Sequence, residues 1–501
     1  MRASPVVLRV AARIDRHRFA TLTVIAAAIT YSAAIRAAAK PFWHDEIFTI
    51  LLADLPSLAD VWGAMHDGVD LAPPLTTLLT RVVRGWLGEG PVVTRLVPIA
   101  SFVAMMFVLF EFVRRRSNAT AAVTAALFPI LTAAYRHSYE ARAYALMMAL
   151  FAIALFAWAE AAAGRRRTWN LILLALALAA GMWNHYYAAL TYVPVACGEA
   201  VRTWRSRQVD RGVFSAVAVS VVLSLPIFAL ASAASSQSAT FWSPASFDQI
   251  VETYYFLLEP LFARRFAVVL LILLAVIGVS WLKKTGRQAE PHQLPLHETA
   301  ALLGAVLVPI AGVLLGVFVT GVFVPRYALP AVAGISLLVA FAIPRSTRAE
   351  LVLPLVLLVS TAELLFPVPR VGDPFEARTV LVDALKSPGP TAITGGLTYL
   401  QLWYYAPAAL KPRLVYIADP SSARRLTGSD TIDLGLLALS RWTTVGAVPF
   451  DGFRLQHRTF RVYAYGSGWL LDRLRETGAE LEEREAEASA QLYIVRLGSS
   501  D

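Results

Sequence analysis

Residues 38–50 read AAKPFWHDEIFTI, and three ionisable side chains, His44, Asp45 and Glu46, stand together where an apolar run ends. Such groups are costly within a bilayer and mark either its edge or a working site. Side chains of this kind carry protons to and from reacting oxygens. More polar groups follow: His66, Asp67 and Asp70 ahead of Pro73 and Pro74, YRHSYEARAY at 135–144, NHYY at 184–187 and VPRYALP at 324–330. Arg142 and Arg326 supply planar guanidinium groups, each able to hold two oxygens of one anion. Asp45 and Glu46 are neighbours, so on a helix they point about 100° apart and play different parts. Arg136, Glu140 and Tyr144 recur at every fourth position, which puts them on one helical stripe.

The elements that must hold these groups are membrane spans. The chain has 501 residues, 57% of them hydrophobic and 16% charged, against about 45–50% apolar and about 25% charged in a soluble domain. Its net charge of +10 falls in short clusters between apolar runs. That pattern excludes one basic nucleic-acid-binding face and fits membrane orientation. Apolar runs long enough to span lie near 19–39, 91–113, 118–134, 143–163, 169–183, 186–201, 212–231, 266–282, 299–320, 328–343 and 350–366, about eleven in all. The pair flanking Asn184–Tyr187 forms either one long helix or a break lined by protein. Six basic clusters, among them 114–116 and 165–167, share one side if the spans alternate, and that side is cytoplasmic. The N-terminus then lies inside, and His44, Asp45 and Glu46 face outward. Beyond its orienting arginines the inner face shows little. No cleavable signal peptide is evident, and Cys197, the lone cysteine, forms no internal disulfide.

Three outward segments are large: a first loop at 40–90, a second at 232–265 and a tail at 370–501. In the first, 75–88 reads as an interfacial helix with Arg81 and Arg84 against an apolar background. In the tail, TAITGG reads as strand and turn, LTYLQLWYYA as a helix and RLVYIADP as a strand; 468–478 reads as a helix, 481–489 as a charged stretch and QLYIVRL as a strand. A small extracytoplasmic α/β domain results. Gly395 and Gly396 lack a GxGxxG or GK[ST] context and read as a simple turn. The expected architecture is a transmembrane domain at 1–369 followed by this domain at 370–501.

Each candidate also has a plainer reading. Asp45 and Glu46 could mark the solvated end of a span, Arg142 and Arg326 could snorkel to headgroups, and His185, Tyr186 and Tyr187 could belong to an aromatic belt. His44, His66, His137 and His185 all face outward, which makes a divalent metal conceivable, but no HxxxH-type ligand spacing supports one. The functional reading rests on all these groups sharing one side.

The order WHDE (43–46), DLAPPL (70–75), YEARAY (139–144), NHYY (184–187), PRYALP (325–330) resembles the polytopic GT-C glycosyltransferases. It is most similar to the bacterial branch related to protein mannosyltransferases, aminoarabinose transferase and lipopolysaccharide galacturonosyltransferases. The resemblance implies a GT-C fold in the inner (plasma) membrane. It also implies transfer of a sugar from a polyprenyl-phosphate carrier to an extracytoplasmic acceptor (glycan, lipid or protein), with inversion at the anomeric carbon. By match to the acidic motif, Asp45 would be the base, and Glu46 would orient it or hold the sugar. Arg326 and Arg142 would hold the phosphate; Tyr144, Tyr186, Tyr327 and His185 would bind sugar or phosphate, with Asp70 and Glu140 as further substrate contacts. No cofactor is firmly implied. Relatives often carry histidine just before the proline pair; Ala72 stands there, which weighs against a metal. Two rival readings share some of these features. A transporter or flippase of lipid-linked glycans would place ionisable groups at mid-membrane depth, and an oligosaccharide ligase would not carry WHDE after its first span.

Overall fold

The computed structural model describes residues 5–235, 240–262, 294–342, 354–361, 372–465, 468–487 and 490–498. The chain divides into two compact units. The first comprises Met1–Ala37, Trp86–Phe228 and Ala245–Val368, and the second Ala38–Gly85, Ala229–Pro244 and Pro369–Asp501. Composition alone sets one boundary at 369/370. The contacts also assign most of the first loop, and part of the second, to the unit that holds the tail.

The first unit is helical. Four helices are long and apolar enough to cross a membrane, Arg18–Ala39, Leu96–Arg116, Tyr144–Ala162 and Arg211–Ser232. Two bent pairs, Ala119–Leu131 with Ala133–Tyr139 (68°) and Leu296–Val306 with Val308–Thr320 (54°), bring the total to six if each is one span. The run at 266–282 lies outside the described residues, as does most of 350–366. The uncertain pair is a break: helix Arg167–Asn184 stops at His185, and a 3₁₀ turn, Tyr186–Thr191, leads into helix Tyr192–Ser206.

Small side chains set the packing. Every residue of helix Ala119–Leu127, sequence ATAAVTAAL, is buried, and short side chains let helix backbones approach. Gly198 seats the enclosed Trp158 indole: a Cβ there would overlap the ring and stand 3.2 Å from the Ala301 Cβ. The outer surfaces keep apolar groups exposed, such as Phe19 (73%) and Val222 (61%), as bilayer contact requires.

The end of this unit that carries the basic clusters is more than a row of orienting arginines, contrary to the sequence expectation. Arg116 grips Glu298 with Nε at 2.5 Å and Nη2 at 3.0 Å, and reaches Glu160 at 3.2 Å. Glu160, fully buried, also takes Arg115 and Arg165. Glu199 accepts from Trp158 Nε1 at 2.7 Å and pairs with Arg202 at 3.1 Å. Arg167 and Arg202 hold Asp210; burial opposes its ionisation, but these hydrogen bonds outweigh it and lower its pKa to about 2. The clusters at 114–116, 165–167 and 202 thus meet at one end of the helices. Tyr144 and Glu160 lie near opposite ends of the same helix, so this network lies about 24 Å along the axis from Tyr144.

The second unit is an α/β layer. Its strands β1 (Thr391–Ile393), β2 (Leu414–Ala418), β3 (Ala447–Pro449), β4 (Thr459–Tyr465), β5 (Glu480–Glu487) and β6 (Ala490–Arg496) form one sheet of order β3-β2-β1-β4-β6-β5. The first four are parallel neighbours, and β6 runs antiparallel to both β4 and β5. The charged stretch at 481–489 is therefore largely strand β5. Helix Gly396–Tyr405 follows β1; a Cβ on Gly396 would meet Ile432 at 2.5 Å, so this glycine serves close packing. From the first loop come helices His44–Ala53, Leu58–His66 and Leu75–Leu87, which share one core with the tail through Phe42, Ile47, Met65, Tyr399 and Leu439. Arg84 is not at a lipid surface: it is 5% exposed and donates to Asp54 at 3.0 and 2.7 Å. Arg81 likewise donates to the Ala53 and Pro56 carbonyls at 2.8 and 2.9 Å.

Candidate functional site

In the second unit the acidic motif opens helix His44–Ala53. Glu46, at the third helical position, is fully buried and accepts from the Trp43 N–H at 3.4 Å. That contact satisfies the N–H of the residue that caps the helix. Asp45 keeps a fifth of its side chain exposed, with Oδ1 3.5 Å from His44 Nε2. The adjacent carboxylates thus differ in environment, one enclosed and structural, the other reachable. The tail holds the approach to this helix: Phe42 N–H donates to the Tyr405 hydroxyl at 2.6 Å, and Gln401 Nε2 donates to the Phe42 carbonyl at 2.9 Å. Asp70, half-buried, accepts from Ala72 N–H at 3.1 Å, an Asx turn that leads the chain into Pro73.

In the first unit the other motifs converge. Arg136, Glu140 and Tyr144 do not share a helical stripe. The helix Ala133–Arg136 ends, a 3₁₀ turn His137–Tyr139 follows, Glu140 is extended and a new helix starts at Tyr144. The break buries Glu140 and leaves Arg142 half-buried in the turn, its N–H donating to the Glu140 carbonyl at 2.7 Å. Asn184 Nδ2 donates to the Ala143 carbonyl at 2.8 Å, tying the end of helix Arg167–Asn184 to the start of the helix before it. His185 lies 5.9 Å from the Tyr144 ring and 4.7 Å from Tyr327. Its Nδ1 accepts from Tyr187 N–H at 3.1 Å, so the neutral ring carries its proton on Nε2. Arg326, in the turn Pro325–Ala328, places its guanidinium 5.6 Å over Tyr144. Tyr186 is half-buried at the head of its 3₁₀ turn.

Three residues without a role in the sequence reading join this cluster. Asn184 and Tyr187 belong to the NHYY motif; the Tyr187 ring lies 4.8 Å from Tyr327, tilted by 35°, and its hydroxyl bonds Thr320 at 2.8 Å. His137 bonds Glu140 at 2.8 Å. Their motifs were visible, but their burial was not. Among the described residues no group of three His, Cys, Asp or Glu side chains could hold a metal ion. Chemically, the first unit offers a fixed guanidinium, an enclosed carboxylate and an aromatic wall; the second offers a reachable carboxylate.

This is a multi-pass α-helical membrane protein with a small sheet-bearing unit, and its fold is GT-C. The sequence model of the dolichyl-phosphate-mannose-protein mannosyltransferase family matches residues 72–230. The fold is similar to that of ArnT from Cupriavidus metallidurans in the apo state, with 13% identity and a TM-score of 0.59 over 96% of this chain and 98% of that one. ArnT from the same organism bound to undecaprenyl phosphate gives 13% identity and a TM-score of 0.58 over 94% and 97%. No curated protein sequence matches significantly.

Proposed function

We propose that this chain is a membrane glycosyltransferase that takes a sugar from a polyprenyl-monophosphate carrier and passes it to an extracytoplasmic acceptor, with inversion. The observation that carries the reading is fold likeness over 94% of the chain to a protein whose structure holds undecaprenyl phosphate. The match of residues 72–230 to a family described by a dolichyl-phosphate sugar supports the same carrier chemistry.

The acceptor hydroxyl oxygen attacks the anomeric carbon as the bond from that carbon to the phosphate oxygen breaks. The electron pair leaves with the polyprenyl phosphate, and the hydroxyl proton passes to Asp45. A base must be reachable, which favours Asp45 over the enclosed Glu46. Glu46 keeps the first helical turn, and with it Asp45, in place. Arg326 and Arg142 bind the phosphate and stabilise its growing charge. Tyr144, His185, Tyr186, Tyr327 and Glu140 are the first unit's further contacts to sugar or acceptor, and Asp70 is the second unit's. The protein sits in the bacterial inner membrane, with its N-terminus and the buried ion-pair network on the cytoplasmic side and the second unit outside.

The test is complementation of a deletion strain with wild type or Asp45→Asn at equal membrane levels, with envelope lipids and glycans compared by mass spectrometry. Loss of a general base costs roughly 10²- to 10⁴-fold in rate, so Asp45→Asn fails to restore one glycosylated product and its polyprenyl-phosphate sugar accumulates. Full restoration by Asp45→Asn overturns the reading.

A further inference from the structure

The proposed mechanism gives His137 no role. Its ring is 4% exposed, at the start of the turn His137–Tyr139. Nδ1 stands 2.8 Å from Oε2 of Glu140, itself 5% exposed. An ionised carboxylate only accepts, so Nδ1 carries the proton and Nε2 is left as an acceptor. Nε2 is sealed from solvent and has no hydrogen-bond partner among the described residues. An enclosed, unsatisfied acceptor is costly. A side chain kept there for packing alone would do better as phenylalanine, so the bond to Glu140 is what the histidine supplies. The same ring packs edge-on to Tyr144 at 5.1 Å, and Tyr144 lies beneath the Arg326 guanidinium. Contacts therefore run without a break from Glu140 through His137 and Tyr144 to Arg326.

We propose that His137 is a positioning residue: its Nδ1–H holds the Glu140 carboxylate in the one orientation in which it meets the transferred sugar, in register with Arg326. This rests on the glycosyltransferase reading and adds to it the means by which a buried carboxylate is aimed. A carboxylate on a side chain of three torsions, in a turn rather than a helix, gains preorganisation from such a partner.

The test measures the initial rate of glycosylated product in complemented cells at matched membrane levels. His137→Phe keeps the ring against Tyr144 and deletes the donor. His137→Asn puts an amide N–H where Nδ1 stood, and His137→Gln moves the amide to the Nε2 position. We expect His137→Phe and His137→Gln to lose roughly 10- to 100-fold, the worth of one hydrogen bond to a charged group, and His137→Asn to stay within about threefold of wild type. The double variant His137→Phe with Glu140→Gln should be no slower than Glu140→Gln alone. Equal rates for Asn and Gln, wild-type rates for both, or an additive double variant overturn the proposal while leaving the enzyme reading intact. A wild type that forms no glycosylated product overturns that reading, and this proposal with it.

Discussion

Asp433 makes the stability of the second unit depend on pH in an unusual direction. The residue is 3% exposed. Burial, aided by the nearby Asp419 charge, pushes its carboxyl up from 3.8 to about 6, against hydrogen bonds from Asp419 N–H, Tyr416 and Trp469. A raised folded pKa means that the folded state holds the proton longer than the unfolded chain does. Its stability contribution is therefore full below 3.8 and is lost as pH rises through about 6. The gap is worth about 3 kcal/mol in full, and about 2 kcal/mol of it falls between about pH 4.5 and about pH 7.5. Asp433→Asn removes the titration, while its Oδ1 still accepts from Asp419 N–H. Thermal unfolding of both full-length proteins in detergent across that range isolates the effect, because every other carboxylate is common to the pair. On raising the pH, wild type should lose about 2 kcal/mol relative to Asp433→Asn, a shift of several degrees in Tm. A difference between the two proteins that is flat with pH, or a wild type that gains stability relative to Asp433→Asn as pH rises, refutes the reasoning.

Two further expectations concern the helical unit. Gly198→Ala drives a methyl into Trp158, one of the largest fully buried side chains; it should cost at least about 1–3 kcal/mol, seen as a lower Tm and poorer monodispersity in detergent. Glu298→Gln leaves the buried Arg116 without its two-point partner. Breaking such a pair costs about 3–5 kcal/mol, at the low end here because Glu160 still reaches Arg116 at 3.2 Å, and a Tm unchanged from wild type would show the network to be slack.

Much of the helical unit was legible because two independent signals agreed: apolar run length and the side on which basic clusters fall. The structure brings three of those clusters to one end of the helices. Their carboxylate partners were not legible, since Glu160, Glu199 and Glu298 lie on different helices and nothing local marks which arginine each meets. Strand β5 read as a charged stretch because an edge strand can carry Glu480, Glu482, Glu483 and Glu485 without a buried partner for each. β3 is three residues long and ends in proline, too short for any period to show. In the candidate site the structure bears on geometry: Glu140 and Tyr144 both neighbour His137, but the four-residue spacing suggested one helix where the chain breaks twice. His137 was passed over because a histidine in a polar motif reads alike whether enclosed or exposed, and part of its enclosure comes from Phe256, more than a hundred residues away in sequence.

The same limit conceals what the tail does. Position in the chain alone suggests that the tail helps to bind the acceptor. The structure gives it a prior task, because Gln401 and Tyr405, both on helix Gly396–Tyr405, bond the two backbone groups of Phe42, three residues before Asp45. Leu439 and Tyr399 share the core that buries Ile47 and Met65 on the helices after it. The acidic motif therefore owes its backbone setting to residues more than 350 positions downstream. A truncation that lost activity would not show acceptor binding, since it would free Asp45 from its support at the same time. Acceptor recognition has to be sought in substitutions on the exposed face of the sheet unit that leave Gln401, Tyr405 and the shared core untouched.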